Sequence, residues 1–333
     1  MTESNSSPRV SVAGTGSYVP EKVLTNDELA TRVDTSDEWI VTRTGIKERR
    51  IARKDEFTSH MASEASKRAL EQAGMDATDV ELIIVATITP DTPTPATACH
   101  VQQQLGAKKA VAFDISAACS GFLYAMKIAK RMIAAGAFEN ALIIGAEKLS
   151  AVTNWSDRTT CVLFGDGAGA AVLKKSDQGE GDIVATEMGS DGSLTHLLNI
   201  PGGGTACPIN SENVDKNLQT LSMLGKEVFK HAVTRMKQGA EAVIERAGWS
   251  PEDIACVVPH QANLRIIDAI ADRLAVPNEK VFVNLHKYGN TSAAAVAIAL
   301  DEAHREGKIK RGDKVVLVVF GAGLTWAAAA IEW

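Results

Sequence analysis

The chain has 333 residues, 45% apolar and 23% charged, with a net charge of −6, which describes an ordinary globular protein of two average domains or one large pseudo-symmetric one. The acidic balance excludes general nucleic-acid binding, and no apolar run reaches the ~18 residues that would span a bilayer. The polar start MTESNSSPRV lacks a signal-peptide core, and five cysteines without a CxxC pair suit reduced thiols and give no metal site, so a soluble, cytoplasmic protein is expected.

In chain order, RVSVAGTGSYV (9–19) reads as a strand entering a Gly-rich turn. The capping residues Asp34 to Glu38 then open a segment, DTSDEWIVTRTGIKERR (34–50), that gathers Trp39, Arg43, Lys47, Arg49 and Arg50. It is either a solvated helix face with one packed Trp, or a nucleotide-phosphate site with Trp39 as stacking platform and arginines as phosphate donors. A helix over 59–74 ends at Gly74, ELIIVATIT (81–89) is a buried strand, and a proline-rich loop, TPDTPTPATACH, covers 89–100.

The stretch 111–134 is the most informative: a strand, Val111 to Ile115, turns on Ser116, Ala117 and Ala118 into an amphipathic helix with Cys119 at its mouth. Unpaired helix N–H groups and the helix dipole favour a thiolate there, and such settings lower a cysteine pKa from ~8.5 to roughly 3.5–7.5. The competing reading is a small buried hydrophobe. A strand over 139–150, a loop over 151–161 and the run VLFGDGAGAAVLKK (162–175) follow. The polar KKSDQGEGD (174–182) is the best internal boundary and divides the chain into residues 1–178 and 179–333.

The second half repeats the first. ALEQAGMDATDVELIIVATI (69–88) aligns without gaps on VIERAGWSPEDIACVVPHQA (243–262), and FGDGAGAAV (164–172) answers FGAGLTWAA (320–328). Cys119 and its helix correspond to the region of Asn290, NLHKYGNTSAAAVAIALDEA (284–303), another strand end, turn and helix. Strands alternating with helices imply an α/β fold with sheets covered on both faces. Cys119, His260 and Asn290 thus stand at equivalent element ends. Singly, His260 reads as a structural histidine and Asn290 as a turn residue. Together they suit acyl transfer, with Cys119 as nucleophile and neutral His260 and the Asn290 amide as donors to a developing enolate. A papain-like protease also uses Cys, His and Asn, but the duplicated α/β pattern and the absence of a secretory signal argue against it.

DISAACSGF, VPHQANLRII, GNTSAA, FGDGAGAAVL and FGAGLTW, with DTSDEWIVTRTGIKERR, resemble the motifs of the β-ketoacyl-[acyl carrier protein] synthase III family nearly end to end. The resemblance implies a thiolase-like αβαβα sandwich of two duplicated halves and a homodimer without a resident cofactor. It further implies ping-pong chemistry in which acyl-CoA loads Cys119, then malonyl-[acyl carrier protein] decarboxylates against His260 and Asn290 and attacks the acyl group. This would initiate type II fatty-acid synthesis.

The resemblance also places an oxyanion hole on the backbone N–H groups of Cys119 and Ala322; some members have Gly at the latter position, and alanine keeps the N–H. Phe320 becomes the apolar neighbour of the departing carboxylate. Trp39 and Arg158 flank the adenine of CoA, Arg43 faces its phosphates and Asn263 follows the pantetheine. Thr94, reaching across the dimer, joins Leu149, Phe164 and Leu198 in the primer pocket. Lys230, Arg235, Lys237 and Arg265 form a basic face for an acidic carrier protein, where a solvated helix face is the plainer alternative.

Three rivals remain. A degradative thiolase needs a second, C-terminal cysteine, and none follows Cys256. A specialised polyketide or alkylquinolone synthase would share the same three polar residues. A non-catalytic acyl-CoA or carrier-protein binder would have no reason to keep them.

Overall fold

Alternation of buried apolar strands with amphipathic helices produces five layers. The structure, a computed structural model, describes residues 8–176 and 181–333. The chain begins β1 (Arg9–Tyr18), β2 (Val23–Thr25), α1 (Asn26–Ala30), α2 (Asp37–Thr44), β3 (Glu48–Arg50), α3 (Thr58–Ala73) and β4 (Leu82–Ala86). It continues α4 (Thr97–Leu105), β5 (Val111–Ile115), α5 (Gly121–Ala134), β6 (Asn140–Lys148) and β7 (Asp166–Ser176). Then come β8 (Asp182–Ser190), β9 (Leu198–Asn199), β10 (Ser222–Met223), α6 (Gly225–Ala247) and β11 (Ile254–Pro259). Last are α7 (Leu264–Leu274), α8 (Leu285–Tyr288), α9 (Ala293–Arg305), β12 (Lys314–Gly321) and β13 (Thr325–Glu332). The boundary drawn between 178 and 179 lies outside the described residues.

Strand order shows the duplication directly. One set runs β5-β4-β6-β7-β1 and the other β11-β12-β13-β8. In each, the inner neighbours are parallel (β4 with β5 and β6, β11 with β12) and the last pairs are antiparallel. Val281 makes an isolated parallel bridge to Val257, in the place β5 takes beside β4. The two sets are hydrogen-bonded into one nine-stranded sheet, because β1 and β8 pair at Ser11 and Asp182. The sandwich is therefore a single sheet folded across that joint.

Helices α5 and α9 fill the space between the two sheet faces, α3 and α4 cover one outside, and α6 and α7 the other. Each interface has its own apolar cluster: Phe122, Met126 and Val296 in the middle, Met61 and Ala65 under α3, Val243 and Met236 under α6. The alanines of α9 follow from its central place. A Cβ on Gly145 of β6 would stand 2.2 Å from the Ala293 carbonyl oxygen, so helix and strand touch backbone to backbone. Helix α3 ends where expected, with Gly74 left-handed at φ +62° and the Met75 N–H donating to the Leu70 carbonyl. Among the described residues, no helix is long and apolar enough to cross a membrane.

Candidate active site

The C-terminal ends of β5, β11 and β12 and the turn before α9 open on one cavity of about 670 Å³. Cys119, His260, Asn290, Phe320 and Ala322 line it together, with Trp39, Arg43, Asn263, Lys230 and Arg265 also in its wall.

Cys119 lies in a one-turn 3-10 helix, Ala118–Ser120, just ahead of α5. Ala118 has φ +46°, unusual for a residue with a side chain and a mark of a tightly held turn. The hydroxyl of Thr325 donates to the Ala117 carbonyl at 3.0 Å, and Gly321 packs so closely that a Cβ there would lie 2.7 Å from the Cys119 nitrogen. These contacts from β12 and β13 set Cys119 against the other half of the fold. The expected acidic thiol is not what results. Burial pushes the Cys119 pKa up to about 12, the nearby Glu147 adds to that rise, and a hydrogen bond with Ser292 offsets only part of it. Desolvation outweighs the helix-terminal seat, and the resting residue is a thiol.

His260 follows β11 directly and is held by its N–H, which donates to the Val318 carbonyl at 2.8 Å. Buried Gln261 locks this turn, donating to the carbonyls of Pro259 and Phe282 and accepting from the N–H groups of Asn284 and Leu285. Burial lowers the His260 pKa to about 4, and its Nδ1 has no hydrogen-bond partner. It is a neutral imidazole with no carboxylate to support a charge. Asn290 is 8% exposed, and its Oδ1 accepts the Ser292 N–H at 2.8 Å. With the oxygen occupied, the amide NH₂ is the end left to donate.

Farther out, two guanidinium groups lie over the Trp39 ring, Arg43 at 5.5 Å and Arg158 at 5.4 Å from its centroid. Arg158 is outside the cavity wall and is tethered to the Asp34 carbonyl at 2.7 Å. Asn263 lines the cavity, but its side chain caps α7 and donates to the Arg43 carbonyl, joining α7 to α2. Arg49, grouped with the phosphate arginines by sequence, is buried and donates to Leu24, Asn26 and Val162 oxygens. It is a structural arginine.

Leu149, Phe164 and Leu198 line the inner end, where an apolar cluster also includes Leu221 and Ile88, which sequence reasoning missed. Thr94 is exposed and outside this cavity. Of the basic set, Lys230 and Arg265 face the cavity, whereas Arg235 and Lys237 do not. Arg235 stacks over Trp326 at 4.5 Å, and Lys237 pairs with Glu241. Ser292 was also missed, although its place two residues after Asn290 suits an Asx-type turn. No group of three or more His, Cys, Asp or Glu residues able to hold a metal occurs among the described residues.

A five-layer fold with a cysteine, a neutral histidine and an asparagine around one largely apolar cavity defines a thiolase-fold condensing acyltransferase. Two family models match, 3-oxoacyl-[acyl-carrier-protein (ACP)] synthase III over residues 113–192 and its C-terminal counterpart over residues 244–333. A β-ketoacyl-[acyl-carrier-protein] synthase III of Caldanaerobacter subterraneus is 57% identical, the match covering 97% of both chains. The crystal structure of the synthase III from Aquifex aeolicus superposes with a TM-score of 0.91 at 51% identity, covering 97% of this chain and 100% of that one. The priming β-ketosynthase of the R1128 polyketide pathway superposes at 0.90 with 39% identity, covering 99% and 98%. The chain belongs to the β-ketoacyl-[acyl-carrier-protein] synthase III family, whose members condense an acyl-CoA with malonyl-[acyl carrier protein] to start fatty-acid synthesis.

Proposed function

We propose that this chain joins an acyl-CoA primer to malonyl-[acyl carrier protein] through an acyl-Cys119 intermediate, giving a 3-oxoacyl-[acyl carrier protein], carbon dioxide and free CoA. Cys119 sulfur attacks the thioester carbonyl, the C–S bond to CoA breaks, and the thiol proton ends on the departing CoA sulfur. The N–H groups of Cys119 and Ala322 serve the tetrahedral oxyanion. In the second half, the bond from the malonyl α-carbon to its carboxylate breaks. Its electron pair passes into an enolate held by His260 and the Asn290 amide. The enolate carbon then attacks the carbonyl carbon of acyl-Cys119, the C–S bond breaks, and the departing Cys119 thiolate takes up a proton from solvent to restore the resting thiol. Phe320, 4% exposed, gives the malonyl carboxylate an apolar neighbour, which favours its loss as neutral carbon dioxide. CoA enters as part of a substrate, with Trp39, Arg43, Arg158 and Asn263 along its path.

The observation that carries this reading is the Asn290 amide, turned by the Ser292 N–H so that its donor end is free beside Cys119 and His260 in one cavity. Its test is Cys119→Ala, which should abolish the covalent acyl adduct seen by intact-protein mass after mixing with acetyl-CoA, with the fold retained. An adduct that persists, or maps to Cys161 or Cys256, refutes the assignment. A non-catalytic binder would give no adduct even in the wild type.

The chain is proposed to act in the cytoplasm as a homodimer. Strand β5 supports the dimer: it ends the nine-stranded sheet, and Val111 on it is 50% exposed, leaving a free edge for a second copy. Lys230 and Arg265 at the cavity mouth suit an acidic carrier protein. Similarity to the R1128 priming β-ketosynthase favours one second reading, the same chemistry in a specialised polyketide pathway. A panel of acyl-CoA primers assayed against fatty-acid and polyketide carrier proteins separates the two.

A further inference from the structure

Glu147 is an acidic residue inside the apolar strand β6, fully buried and outside the cavity wall. Among the described residues it has no ion-pair partner. Four donors face its carboxyl group instead: the Ile88 N–H at 3.1 Å and the hydroxyls of Thr87 at 3.2 Å, Thr89 at 2.5 Å and Ser292 at 3.1 Å. A carboxylate buried without a countercharge is costly, and a plain sheet strand has no need of one.

The fourth donor connects it to the chemistry. Ser292 has a positive φ of +49° with ψ −120°, a backbone conformation a side-chain-bearing residue adopts only when its surroundings hold it there. What holds it is Glu147 on its hydroxyl and Asn290 on its N–H, the latter bond at 2.8 Å being the one that turns the Asn290 amide. The same carboxyl group grips Thr87 and Thr89, and the Thr89 carbonyl in turn accepts from the Thr58 hydroxyl at 2.6 Å on α3. Glu147 therefore ties the rigid first-half sheet to a strained serine of the second half, two residues beyond Asn290.

We propose that Glu147 is a positioning residue for the condensing half-reaction: through the Ser292 hydroxyl it fixes the strained turn whose N–H orients the Asn290 amide toward the substrate carbonyl. The proposal rests on the reading that Asn290 serves decarboxylation and condensation, while primer loading uses the backbone N–H groups of Cys119 and Ala322. A residue that only stabilised the sheet would weaken both half-reactions alike.

The experiment compares Glu147→Gln, Ser292→Ala, their double variant and Asn290→Ala in the full-length enzyme. Cys119 acylation by acetyl-CoA is timed by intact mass, and condensation with malonyl-[acyl carrier protein] is measured at steady state. Losing one well-placed donor to an oxyanion typically costs about 10²–10³ in rate, and a loosened one should cost somewhat less. Glu147→Gln should lower the condensation kcat roughly 10–100-fold, leaving KM for malonyl-[acyl carrier protein] within about threefold and not slowing acylation, because removing a carboxylate that raises the Cys119 pKa can only ease thiolate formation. The double variant should be no slower in condensation than the worse single variant, because both break one linkage. Unchanged condensation in Glu147→Gln, equal loss in both half-reactions, or additive effects in the double variant each overturn the proposal. If Asn290→Ala itself condenses normally, the reading beneath it fails, and the two failures are thereby told apart. Should Glu147→Gln not fold, Ser292→Ala decides: full condensation in that variant overturns the linkage.

Discussion

Glu147 and His260 are both fully buried and shifted in opposite directions, which gives the fold a pH signature that two substitutions can separate. Burial raises Glu147 from its ordinary 4.5 to about 7 and lowers His260 from 6.5 to about 4. Between pH 4.5 and 7 the unfolded chain releases the Glu147 proton while the folded chain keeps it, so this group's contribution to stability falls as pH rises. At about 1.36 kcal/mol per pKa unit, the loss across that window is about 3 kcal/mol. For His260 the sign reverses. Between pH 6.5 and 4 the unfolded chain takes up a proton that the folded chain refuses, so its contribution is present above pH 6.5 and is lost on acidification, again by about 3 kcal/mol. In the wild type the two slopes oppose each other from pH 4.5 to 6.5. Glu147→Gln removes one slope. Its stability relative to wild type should improve by about 3 kcal/mol from pH 4.5 to 7.5, whatever fixed penalty the lost hydrogen bonds impose. His260→Asn should show the opposite trend, with its penalty smallest near pH 4 and largest above pH 7. Denaturant titrations followed by tryptophan fluorescence at half-unit pH steps measure both. Differences from wild type that stay flat with pH, or that run the same way in the two variants, refute the assigned states.

Three further outcomes follow from the site. His260→Ala and Asn290→Ala should still form the acyl adduct at Cys119 but lose condensation by about 10²–10³, and failure to acylate would assign that residue to thiol activation instead. Reversing Lys230 or Arg265, both at the cavity mouth, should weaken use of the carrier-protein substrate more than use of acetyl-CoA, in a salt-sensitive way. Arg43→Ala, beside Trp39, should do the reverse, and equal damage to both substrates would refute the division. Thr94→Phe should shift primer preference toward acetyl-CoA over isobutyryl- and octanoyl-CoA. Because Thr94 is exposed and outside its own chain's cavity, that shift requires a dimer, and a kcat/KM profile unchanged by Thr94→Phe would show that position 94 does not limit the pocket.

What the sequence made legible was periodicity and punctuation. Strand β5 falls on the expected residues, α3 stops at its glycine, and Cys119, His260 and Asn290 line one cavity, but the strand end expected before Asn290 is the short helix α8, with only the Val257–Val281 bridge in the place of β5. What it hid was burial. DTSDEWIVTRTGIKERR shows five aromatic or basic side chains in a row but not which one turns inward, and Arg49 spends its guanidinium on three backbone and amide neighbours while Arg43 stays outside. Lys237 reads as free positive charge, yet it pairs with Glu241 one helical turn further on. The acidity expected of Cys119 fails for the same reason: a helix terminus is a local feature visible in a pattern, whereas desolvation depends on everything packed around it.

That burial changes how the site works. A thiol raised to about 12, an imidazole lowered to about 4 and an uncharged amide leave no net charge on the three reactive side chains near neutral pH. On the proposed reading, charge is carried in by the substrates. The CoA phosphates stop at the rim, where Arg43, Lys230 and Arg265 stand, and only the thioester and the malonyl carboxylate go deeper. Buried Phe320 presents an apolar ring to the carboxylate, whereas the enolate left after carbon dioxide departs meets two neutral donors. The apolar interior thus raises the starting state and the donors lower the product of the same step, so decarboxylation is driven from both ends. A lysine or arginine in contact with the malonyl carboxylate would hold that group tightly and slow its breakdown, which is a physical reason for the basic residues that line the cavity, Arg43, Lys226, Lys230 and Arg265, to be exposed ones.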